Sequence, residues 1–100
     1  MILHTVNKSP FEKNTLESCL KNCKPGSSLL LIEDGIYASL NNTRFTEKVT
    51  ASMKDINIYV LEPDLNARGV QDSLIDGIKK VDYAGYVDLT VEHSAVNAWL

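Results

Sequence analysis

Apolar and polar positions along this chain change period several times, and each change marks an element. Ile2 to Val6 is a short apolar run of strand character; Lys8-Ser9-Pro10 ends it, because proline has no N–H and biases its predecessor away from helix. Over residues 15–23 the apolar positions are Leu16, Cys19, Leu20 and Cys23, the i, i+3, i+4, i+7 stripe of an amphipathic helix. Asn14 is placed to cap that helix, and Lys24-Pro25-Gly26 to stop it. Residues 29–32 are apolar without alternation, as in a strand covered on both faces, which predicts an interior parallel strand.

Glu33-Asp34-Gly35 closes that strand, with Asp34 set to cap a helix through Tyr37 to Leu40. Asn41-Asn42-Thr43 reads as a turn, and Phe45, Val49 and Met53 then recur at helical spacing. Residues 56–61 form a second strongly strand-forming run. Pro63 suits a first helical turn and Gly69 the position past its end, giving a short helix over residues 64–68. Residues 77–81 predict a brief strand, after which Asp82 caps a helix over residues 83–92. The expected buried stripe of that helix is Tyr83, Val87 and Val91, with Tyr86 and Leu89 beside it. Residues 96–100 predict a last short strand. Strands and helices alternate throughout, so the expected class is α/β: a single parallel sheet flanked by helices, Rossmann-like, in one domain over residues 1–100.

Composition removes several functions from consideration. The chain is 44% hydrophobic and 23% charged, ordinary for a globular domain. Its longest apolar stretch, residues 29–32, is far short of the roughly 20 residues that span a bilayer. The start MILHTVNKSPF lacks the pattern of a secretory signal, so the expected location is the cytoplasm, where the acceptor-like Asn41-Asn42-Thr43 has no meaning. A net charge of -3, with no basic run longer than Lys79-Lys80, gives no footprint for nucleic acid.

The chain has two cysteines, Cys19 and Cys23, one helical turn apart on the same face. Two readings stand. Both are small buried hydrophobes, or both face a common partner; their mid-helix and carboxyl-end positions lack the helix amino terminus that activates a redox thiol. A metal would need these thiols with His4 and His93, which are distant in sequence and match no ligand spacing, so no metal site and no cofactor are expected. His4 reads as a hydrogen-bonded imidazole and His93 as a side chain suited to a helix carboxyl end. Glu33-Asp34 lies at the strand edge where α/β sheets bind ligands, and Arg68 near a loop edge is a candidate anion holder. No G-x-G-x-x-G or P-loop occurs. Trp99 and Tyr37 are aromatic residues of the kind enriched at interfaces.

Four stretches together carry a resemblance: LHTVNKSPF, LLLIEDGIYASL, YVLEPDLNARG and VDYAGYVDLTVEHSAVNAWL. In this order, over essentially the whole length, they resemble the DsrH/TusB sulfur-relay family. Cys19 in ESCLKN, where the DsrH branch carries a cysteine, and the unbroken SPFEKNTLESCL segment favour DsrH of sulfur oxidation over TusB of tRNA wobble-uridine 2-thiolation. Cys23 matches no family cysteine. The resemblance implies a DsrE-like fold and a cytoplasmic heterohexamer with DsrE-like and DsrF-like subunits. It implies a DsrC-like or TusE-like sulfur acceptor, and a main active cysteine on a partner subunit. This chain is then a structural subunit, with Cys19 as a candidate accessory persulfide site, reachable only if its helix face opens toward a cleft or partner.

Overall fold

Five parallel strands build one sheet in the computed structural model, which describes residues 1–100. β1 (Ile2–Val6), β2 (Ser28–Leu31), β3 (Asn57–Leu61), β4 (Lys79–Val81) and β5 (Ala95–Trp99) stand in the order β4-β3-β2-β1-β5. The connections are α1 (Thr15–Asn22), a 3-10 helix (Glu33–Ser39) with α2 (Thr46–Ser52), α3 (Glu62–Ala67) with a 3-10 turn (Gln71–Ser73), and α4 (Tyr83–Glu92). The expected α/β class, a parallel sheet flanked by helices, is the class that forms.

Strand order determines which helix covers which face. The first three crossovers each step outward from β1 toward β4, and the fourth returns to the other side of β1. Right-handed crossovers that reverse direction place their helices on opposite faces. Leu16 of α1, Val49 of α2 and Leu65 of α3 accordingly share one core with Val6, Leu29, Leu31, Ile58 and Val60. Leu89 of α4 meets Leu3 and Leu30 on the other side. The alternation of β2 thus feeds both layers, and its three leucines, Leu29, Leu30 and Leu31, are all fully buried. This is the interior strand that its unbroken apolar run predicted.

Local chemistry sets the element ends. Asp82 caps α4, its carboxylate accepting from the Gly85 N–H at 2.8 Å. Asn14 stands at the start of α1 but makes no side-chain cap. Asp34 falls inside the 3-10 helix instead of capping it, because the chain turns early through Glu33, whose φ is 49°. Gly35 is required there: a Cβ at that position would run into the carbonyl of Val6.

The expected stripe of α4 is corrected. Tyr83, Val87 and Val91 are 60%, 60% and 78% exposed, whereas Leu89 is 5% exposed and Tyr86 packs beside it. Apolar residues ring this helix, so two stripes competed for the sheet, and the one through Tyr86 and Leu89 won.

Candidate functional site

The sheet and α1 bring three chemically able side chains together. α1 packs on the β1 side of the sheet, and the helical period turns Cys19 into the main core, where it is fully buried. Cys23 is the first residue past α1, in extended backbone at φ -75° and ψ 124°, and is half-buried. Its sulfur lies 3.8 Å from that of Cys19, within hydrogen-bond range for thiols. His4, in the middle of β1, faces the same side, and one of its ring nitrogens and both sulfurs lie within 4.8 Å of one another. Sequence distance therefore did not separate His4 from the thiols, contrary to the expectation above.

β5 fixes the state of His4. Its Asn97 pairs with His4 and its Trp99 with Val6, so Trp99 stands on the same face two residues along. The Trp99 indole N–H donates to His4 Nδ1 at 3.0 Å. An indole is only a donor, so Nδ1 must be the acceptor and the ring proton sits on Nε2. The imidazole is only 3% exposed, and burial lowers its pKa, keeping it neutral.

The two thiols are unequal. The hydrogen bond with Cys23, followed by burial and by the charge that Cys23 can carry, pushes the Cys19 thiol far up, so it stays protonated. Cys23 moves down, because the hydrogen bond from Cys19 stabilises its thiolate by more than desolvation opposes it. A helix carboxyl end disfavours negative charge, so the Cys19 hydrogen bond is what makes Cys23 the ionisable member. Beside Cys23 is a recess of about 60 Å³ lined also by Leu20, Ser52, Asp55 and Ile56. His4 borders a second recess of about 250 Å³ with Met1, Asn22, Lys24 and Ser94.

The other sequence candidates lie elsewhere. Arg68 is not free to hold an external anion: its Nη2 is 2.9 Å from Asp34 Oδ1, and its Nη1 donates to the Asp64 carbonyl at 3.3 Å. The Glu33 N–H donates to Asp64 Oδ2 at 2.7 Å, so these carboxylates brace the strand edge. His93 ends α4, with Nδ1 2.6 Å from the Leu89 carbonyl and Nε2 2.9 Å from Ser28 Oγ, away from the thiols. Trp99 is committed to His4 and the core. A larger cleft of about 430 Å³ holds Arg44, whose guanidinium lies over the rings of Phe11 and Phe45, a stacking that no spacing in the sequence announced.

Known proteins resemble this chain in sequence and in fold. The family model described as DsrH like protein matches residues 8–96. Protein TusB of Pectobacterium parmentieri is 35% identical over 98% of this chain and 100% of its own length, and Protein TusB of Shigella flexneri is 35% identical over the same shares. The solved ychN protein of E. coli superposes with a TM-score of 0.80 at 18% identity, covering 97% of each chain. The MTH1491 protein of Methanobacterium thermoautotrophicum gives 0.75 at 11% identity, covering 97% of this chain and 96% of its own. At those identities the two structures speak for the fold alone.

Proposed function

The chain belongs to the DsrH-like family, and on that premise we propose that it is a TusB-type subunit of a sulfur-relay complex serving 2-thiolation of the tRNA wobble uridine. The observation that carries this reading is the 35% identity to Protein TusB over the relative's whole length. It reverses the order of the two branches given by Cys19 and the SPFEKNTLESCL segment, which had put sulfur oxidation first. In this reading the chain assembles in the cytoplasm with DsrE-like and DsrF-like subunits in a heterohexamer and serves a TusE-like acceptor. No helix is long and apolar enough to cross a membrane.

The apolar stripe on α4 supports assembly. Tyr83, Val87 and Val91 project from the lightly covered side of the sheet, and Val96 of β5 is 47% exposed on that side as well. Stripes of this kind on a small domain mark protein contacts. The thiol pair containing Cys19 is the chain's own accessory sulfur site, with the principal cysteine on a partner subunit.

The test is replacement. Escherichia coli lacking its own TusB is given this chain with its cognate partner subunits, and 2-thiouridine in tRNA is measured by mass spectrometry. Restoration is expected. Absence of 2-thiouridine, with the complex assembled, would contradict the reading. If that complex instead passed sulfur to a DsrC-like acceptor, the DsrH reading that Cys19 favours would replace it.

A further inference from the structure

We propose that Cys23, rather than Cys19, receives and holds sulfane sulfur in this chain, with the buried Cys19 thiol as its fixed hydrogen-bond donor. The inference rests on the relay reading and assigns the sulfur-bearing atom within it. Three observations carry it.

The first is access. Cys19 is fully enclosed by the core, so the condition for sulfur on it, a face open toward a cleft, is not met in the chain itself. Cys23 is half-buried and opens on the recess with Leu20, Ser52, Asp55 and Ile56. That recess, about 60 Å³, exceeds the roughly 10–15 Å³ needed to admit a water-sized atom, so one added sulfur fits.

The second is the 3.8 Å separation of the two sulfurs. It lets Cys19 donate to a Cys23 thiolate without leaving the core. Such a donor favours the thiolate, which is the nucleophile in sulfur exchange. Transfer then balances. The Cys23 thiolate attacks the outer sulfur of a persulfide R–S–SH; the Cys23 S–S bond forms as the donor's S–S bond breaks. The electron pair leaves on RS⁻, and the outer sulfur keeps its proton. In the second half an acceptor thiolate attacks that outer sulfur and returns Cys23 to the thiolate.

The third is the tautomer of His4. A metal-bound imidazole offers one nitrogen lone pair and donates the N–H of the other. Here Nδ1 already accepts from Trp99 and Nε2 carries the proton, so binding a metal would require an imidazolate or loss of the Trp99 hydrogen bond. The three-residue cluster is therefore set for thiol chemistry with a neutral imidazole beside it.

The assembled complex is treated with glutathione persulfide, alkylated and digested with trypsin. Cleavage after Lys21 separates Cys19 from Cys23, so each site is read on its own peptide. Added sulfur is expected on the Cys23 peptide and not on the Cys19 peptide, because only Cys23 combines an ionisable thiol with an open recess. Cys19→Ala should lower the loading, whereas Cys19→Ser, which keeps a hydroxyl donor, should retain more of it. Should those variants fail to fold, the peptide map of the unaltered complex still decides between the two cysteines. Sulfur on Cys19, or on partner cysteines but not on Cys23, would overturn the assignment and leave the relay reading intact. Loading nowhere in the complex would overturn both. Stoichiometric zinc binding that protects both cysteines and is lost in His4→Gln would overturn the assignment in favour of a metal site.

Discussion

One side of the sheet lies under α1, α2, α3 and a 3-10 helix, and the other under α4 alone. The first side encloses 15 buried apolar residues in a continuous cluster, the second only three, so the two contribute unequally to stability. The thick side holds Cys19, Cys23, His4 and Trp99, where burial can set protonation states. The thin side leaves Tyr83, Val87, Val91 and Val96 in water. A small domain that covers one face and leaves an apolar stripe on the other keeps its buried thiol cluster apart from the surface that the proposed function assigns to docking.

The largest effect that would test this division is on the thick side. Leu29→Ala removes a fully buried side chain from the main cluster and should cost about 2–5 kcal/mol in urea unfolding. A cost no greater than that of an exposed substitution would break the comparison. Next is Trp99→Phe, which keeps an aromatic ring but leaves Nδ1 of His4 without its donor and should cost about 1–3 kcal/mol.

His4 also gives the thick side a pH signature. Its native pKa lies below the ordinary 6.5, so in the window between the two values the unfolded chain binds more protons than the native one. The His4 contribution is complete above the unfolded value and is lost as pH falls toward and through the native value. Urea midpoints should therefore drop as pH falls through and below about 6.5, and His4→Gln should flatten part of that slope. An unchanged slope would mean that His4 is not held neutral.

What the sequence revealed follows the same division. Periodicity located all five strands and α4, and Asp82 announced its own cap, because those features depend on neighbours within a few residues. The His4 cluster depends on β1 lying under α1 and on Trp99 arriving beside it from the last strand, pairings that no local pattern encodes. Cys19 and Cys23 were legible as one stripe, but their inequality was not, because it comes from where the helix stops and from what closes over each sulfur. The facing of α4 was read wrongly for a different reason: with apolar residues all round, its pattern did not say which stripe would meet the sheet.

The smallest expected change in stability belongs to the thin side, and it provides the most direct measurement of the central claim that this chain is a subunit docking through that face. Val87→Asp should shift the stability of the isolated chain by no more than about 0.5 kcal/mol, since Val87 is exposed. The same variant, co-expressed with the DsrE-like and DsrF-like partners and examined by native mass spectrometry, should remain folded but outside the complex, while the unaltered chain is found within it. A Val87→Asp chain that assembles as fully as the unaltered one would contradict the account.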